Sequence, residues 1–253
     1  MTSFARTLFV AGTLLVVTAS CQMVGWDGQV RTVGTVRELE QSGDTRGRVK
    51  LVNAELGAST IGIGELAGLA GEITIAEGAT WITRKGADGQ LRTTRGMALD
   101  DEAALLVTAH IEDWIELQID GEVPLASLPR WAGFTATEWE TVPFIVHGRF
   151  VSLDAHVVHG MGARAATFPA GMEPARIHSK QIFGTLVGFW SRAANGVIAP
   201  VGQDVHAHVI VNGEPAYTAH VDNVRISSGS TIFLPRVLER SNKQFNFGHK
   251  QDL

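Results

Sequence analysis

The chain has 253 residues, 45% hydrophobic and 19% charged, which suits one large domain or two small ones and is too apolar for a disordered chain. Its formal net charge of −5 argues against nucleic acid as a principal partner, because a phosphate-binding surface needs an excess of Lys and Arg. The single cysteine excludes a disulfide framework, and neither coiled-coil heptads nor solenoid repeats occur.

Residues 1–20 read as a secretory signal peptide. Arg6 precedes an apolar run over residues 8–17, and small residues then lead to Cys21. The run is shorter than the ~20 residues of a membrane-spanning helix. The ending VTASC resembles a bacterial lipobox, with Thr18 where Leu is usual. A lipid anchor at Cys21 would make the protein an exported, membrane-anchored lipoprotein, and contact with a membrane is expected only through that anchor. A plain cleaved signal and a buried core cysteine are the other two readings.

In the mature chain, Val33, Val36 and Leu39 predict a short helix over residues 33–44, ending near Gly43. Residues 47–57 suit strand or helix. The Gly-rich stretch 59–85 reads as a loop followed by a hairpin that turns near Glu77–Gly78. Residues 103–119 alternate as a strand, and 127–139 hold a short helix. Five strands are predicted in the second half, over 142–158, 181–192, 204–211, 217–227 and 230–235. The expected fold class is α+β with two subdomains. A mixed β-sheet part spans 26–135, and a strand-rich antiparallel sheet or barrel spans 140–235, with the seam near 127–141. The polar tail 236–253 follows. Trp81, Trp114, Trp131, Trp139 and Trp190 are expected in the core.

The stretch DVHAHVIVNGEPAYTAHVDNV, residues 204–224, carries three histidines. His206 and His208 are two apart on a strand and so face the same way. If residues 212–216 form the loop, Val211 pairs with Tyr217 and His208 lies directly across from His220. Three imidazoles then converge as in a catalytic zinc site with an open fourth position. The same register sets Asp222 opposite His206, where it could fix a tautomer. A four-residue loop would turn His220 to the opposite face, and a solvated H-x-H pair is the simpler alternative. A cupin reading fails on spacing, because the next carboxylate, Glu214, falls in the turn.

Three segments resemble the alpha-acetolactate decarboxylase family: IGIGELAGLAGEITIAEGATWI, FGTLVGFWSRAANGVIAPVGQDVHAHVI and AHVDNV. The resemblance spans roughly residues 26–235. It implies a two-domain α/β fold that forms a homodimer, and zinc bound by His206, His208 and His220. It also implies loss of CO2 from a 2-hydroxy-3-keto acid, 2-acetolactate, giving acetoin. The family's glutamate after glycine maps onto Glu72, which could deliver the proton to carbon. Departures concentrate on the residues that handle the substrate carboxylate. Glu65 stands where the family has Thr, and His156 where it has Arg, with Arg149 and Arg164 out of register. His156 could bind the carboxylate as imidazolium. Eleven residues separate His208 from His220 where the family has ten, and Glu239 is the only candidate for the family's C-terminal glutamate. Two alternatives stay open: a same-fold metalloenzyme for another small hydroxy or keto substrate, and a non-catalytic lipoprotein that binds a metal or ligand.

Overall fold

Two antiparallel sheets of seven strands each form the computed structural model, which describes residues 26, 28–162, 167–192 and 196–236. The first sheet holds β1 (Val30–Val33), β2 (Val49–Lys50), β3 (Thr60–Leu66), β4 (Glu72–Ala76), β5 (Ala79–Lys85), β6 (Leu91–Arg95) and β7 (Glu102–His110). Their order is β1-β7-β3-β4-β5-β6, with β2 also on β7. The second holds β8 (Trp114–Gln118), β9 (Val123–Pro124), β10 (Thr141–Val157), β11 (Ala175–Ser191), β12 (Val205–Val211), β13 (Tyr217–Ile226) and β14 (Thr231–Pro235), in the order β8-β14-β10-β11-β12-β13-β9. The strand-rich α+β expectation matches this architecture.

The second sheet curls back on itself. β10 pairs with β11 along its whole length on one side, and on the other with β14 and then β13. Because β12 joins β11 to β13, strands β10 to β13 form a closed ring. Register shifts between Phe150 and Ser152 and between Asp154 and Ala155 bend β10 enough to close it. Phe144, Phe150, Leu153, Leu186, Val209 and Val224 fill the interior, and α1 (Leu128–Trp131) with Phe134 packs against this core.

Between the sheets, Ile61, Ile63, Leu105 and Val107 meet Ile145, Val187, Phe189 and Ile210. Full burial of such side chains is worth about 1.5–3 kcal/mol each, against about 0.5–1.5 kcal/mol for a hydrogen bond, so apolar packing holds the sheets together. Polar contacts then set where the β12–β13 hairpin rests on the first sheet. The Thr218 N–H donates to Thr83 Oγ1 at 2.7 Å, the Thr93 hydroxyl to the Ala216 carbonyl at 2.8 Å, and the Thr74 and Thr218 hydroxyls bond to each other.

Several elements differ from the sequence reading. The helix expected over 33–44 contracts to one wide turn, Glu38–Ser42, stopped by left-handed Gly43, and Val33 ends a strand instead. Residues 60–66, read as loop, are the central strand β3. Its glycines hide the strand from a propensity reading, yet a Cβ on Gly64 would stand 2.2 Å from the Leu105 carbonyl oxygen. The single strand expected over 103–119 breaks at residues 111–113 into β7 and β8, which belong to different sheets. The sheets therefore change over before the expected seam, since β8 pairs with β14 and β9 with β13. The polar strand β6 was not anticipated. The Glu77–Gly78 turn lies between β4 and β5 as expected. Of the tryptophans expected in the core, Trp190 is buried, while Trp81, Trp114, Trp131 and Trp139 are half-buried against it. Residues 1–20, Cys21 and most of the tail lie outside the described residues. Among the described residues no helix is long and apolar enough to cross a membrane.

Candidate metal centre

The five-residue loop 212–216 closes β12 on β13 with Val211 opposite Tyr217 and His208 opposite His220. His206 sits two residues before His208 on the same buried face. The ring centroids are 5.2 Å apart for His206 and His208, 4.8 Å for His206 and His220, and 5.5 Å for His208 and His220. One ligand nitrogen from each ring lies within 4.8 Å of the other two. The structure thus brings all three expected ligands together.

Hydrogen bonds orient two of these rings. His206 Nδ1–H donates to the Ile198 carbonyl at 2.6 Å, and His208 Nδ1–H to the Ile73 carbonyl at 2.9 Å, with Thr74 Oγ1 3.2 Å from that same nitrogen. Each Nε2 is left as a lone pair, the form a metal needs. Burial, above all, lowers the pKa of His206 to about 4 and that of His208 well below the ordinary value, so both rings are neutral.

The donor set fits a divalent ion. Ligands ~2.0–2.1 Å from a tetrahedral zinc stand about 3.3–3.4 Å apart. His206 Nε2 and His220 Nδ1 are 3.0 Å apart, a few tenths short of that spacing. His208 Nε2 and Glu72 Oε2 are 3.7 Å apart, and both are buried with no hydrogen-bond partner among the described residues. Orphaned polar atoms are costly in a folded interior, and a cation bound by the His208 Nε2 lone pair would satisfy that atom beside the Glu72 carboxyl.

Glu72 opens β4 and is fully buried. The backbone enters it through Gly71, at φ 147°, where a Cβ would stand 2.2 Å from the Thr83 carbonyl oxygen. Glu72 Oε1 accepts the Val158 N–H at 3.0 Å. Burial first, and then the charge of Glu65, hold its carboxyl well above the usual carboxylate range. Glu65 lies directly across on β3. It is half-buried, and burial with the charge of Glu40 pushes it up to about 7.

His156 stands opposite His220 on the strand beyond, β10, with ring centroids 4.7 Å apart. Its Nδ1–H lies 2.9 Å from both carboxylate oxygens of Asp222. The sequence reading set Asp222 across from His206. A bulge in the β10–β13 pairing, between Val221 and Asn223, instead turns Asp222 to His156, and His206 takes its partner from the Ile198 backbone. Arg176 on β11 lies opposite His156, with Nη1 3.9 Å from Asp222. Arg149 is exposed and stacks over Phe183. Arg164 and Glu239 lie outside the described residues.

A cleft enclosing about 440 Å³, mouth included, is lined by the polar residues Glu40, Glu65, His156, His206 and His220 and by apolar groups such as Leu39, Leu69 and Val158. Glu40, Arg176 and the two carbonyls were missed in the sequence. Only strand pairing reveals Arg176, and nothing local marks the carbonyls.

The family model of alpha-acetolactate decarboxylase matches residues 27–237. Among solved structures, acetolactate decarboxylase from Bacillus subtilis subspecies spizizenii is 18% identical with a TM-score of 0.63, over 83% of this chain and 87% of that one. The alpha-acetolactate decarboxylase of Bacillus subtilis strain 168 gives 18% identity and a TM-score of 0.62, over 83% and 86%. A Staphylococcus aureus protein described as of unknown function and similar to alpha-acetolactate decarboxylase gives 16% and 0.59, over 83% and 86%. These likenesses carry the fold. No curated protein matches the sequence significantly.

Proposed function

The chain belongs to the alpha-acetolactate decarboxylase family, and on that premise we propose that it is a metal-dependent carboxy-lyase that converts 2-acetolactate to acetoin and CO2. The observation that carries this reading is the convergence of His206, His208 and His220 on one point beside an orphaned, buried Glu72 oxygen.

His206, His208 and His220 would hold the ion, and three neutral nitrogen donors favour zinc. When bound, the ion supplies a Lewis acid that stabilises negative charge developing on the substrate's keto and hydroxyl oxygens. The bond between the carboxylate and its carbon breaks, and its electron pair stays with the substrate. Glu72, held protonated by burial, donates its proton to that carbon. His156, oriented by Asp222, faces the substrate carboxylate from the cleft wall. Leu39, Leu69 and Val158 add apolar surface to the cleft.

Glu40 and Glu65 favour a second reading, in which the site takes a different small hydroxy or keto compound, because two carboxylates in the cleft oppose an anionic substrate. A non-catalytic protein that binds metal at the cell surface is the third. The wider proposal includes export, a lipid anchor at Cys21 and a homodimer, with a small-molecule 2-hydroxy-3-keto acid as partner.

Incubating the purified, zinc-loaded protein with racemic 2-acetolactate tests this. Acetoin formed in proportion to enzyme supports the first reading. Loaded protein that yields no acetoin removes acetolactate as substrate.

A further inference from the structure

His220 has an imidazole on either side. β13 lies between β12 and β10, and the two registers set His208 against one flank of His220 and His156 against the other, all on one face. The nitrogen that His220 turns to His206 is Nδ1, at 3.0 Å. Its Nε2 lies on the other side of Cε1, so one ring can address two points. His156, His220 and Asp222 each place one ligand atom within 4.8 Å of the other two, as the first three histidines do.

We propose that His156, His220 and Asp222 form a second divalent-cation site beside the first, with His220 shared between the two ions. The inference rests on the three-histidine reading of the first site. The bulge in β13 carries the argument. It takes Asp222 out of the ladder and brings both its oxygens 2.9 Å from His156 Nδ1. Nitrogen and oxygen donors to one zinc stand about 3.3 Å apart, so an ion can take the place of the proton they share after opening by a few tenths of an ångström. Asp222 can supply one or both oxygens, while His156 and His220 are already held by buried strands.

Charge and protons balance. Loading the second site would move the single ring proton of a neutral His156 from Nδ1 to Nε2 and release one proton to solvent, the remaining ring proton of His220, which would then serve both ions as an imidazolate. Asp222 supplies the negative charge at the second site. Arg176, 3.9 Å from Asp222, opposes it, and the side chain of Asp222 is 39% exposed, so the second site is the weaker one. The described residues lining the cleft include no Lys or Arg. A second ion would therefore put a fixed positive charge where the substrate carboxylate needs one.

The test is zinc stoichiometry. Chelator-stripped protein is titrated with Zn²⁺ by calorimetry, and its metal content is measured after gel filtration from saturating Zn²⁺. Two equivalents are expected, the second at least tenfold weaker. Asp222→Asn and His156→Gln should each reduce the count to one and leave the tight site within about threefold. One equivalent in the wild-type protein overturns the proposal and spares the first site. Two equivalents retained in both variants place the second ion elsewhere and also overturn it. No bound zinc removes both sites.

Discussion

His208 and His220 stand directly opposite one another on adjacent strands, and the five residues 212–216 set that pairing. Side chains alternate along a strand, so a one-residue change of register moves His220 to the far face. Deleting Gly213 should therefore lower zinc affinity at least a hundredfold while the far-ultraviolet circular dichroism stays that of a β protein. Unchanged zinc binding in the deletion variant would separate the loop length from the site.

Glu72→Gln keeps the shape of the side chain and the acceptor for the Val158 N–H but removes the acidic proton. Turnover of acetolactate should fall at least tenfold with the zinc content unchanged, because general acid catalysis contributes about 10²–10⁴ in rate. Undiminished turnover would remove Glu72 as the proton donor.

Burial, and then the charge of Glu40, push the Glu65 carboxyl up to about 7 in the folded protein, from an ordinary value of 4.5. Between those two values the folded state binds more protons than the unfolded state, so this residue makes stability fall as pH rises from about 4.5 to about 7. Its position at the cleft wall screens part of the effect, leaving a penalty on the order of 1–2 kcal/mol above pH 7. Glu65→Gln should stabilise the protein against urea at pH 8 and change little at pH 4.5. An equal gain at both pH values would assign the effect to packing instead of charge.

The histidine hairpin was legible because it is local: Asn-Gly and Pro mark the turn, and alternation on both sides sets the faces. Glu72 was legible through its family motif. The rest depended on contacts distant in sequence. Asp222 was misplaced because the bulge that turns it to His156 arises in pairing with β10, 66 residues away in sequence. The carbonyls of Ile198 and Ile73, which fix the histidine tautomers, carry no sequence signature. β3 was hidden because Gly62 and Gly64, which let β4 and β7 approach closely, depress strand propensity. The break between β7 and β8 was invisible because apolar alternation resumes after it while the sheet does not.

The claim on which the account depends is that imidazoles from two neighbouring strands hold one ion. Metal content of the purified protein, measured beside His206→Ala, His208→Ala and His220→Ala, tests it most directly. At least one zinc per chain in the wild-type protein, lost from the tight site in each variant, is the expected result. A wild-type protein with no ion above background, or tight-site zinc undiminished in His220→Ala, would contradict it.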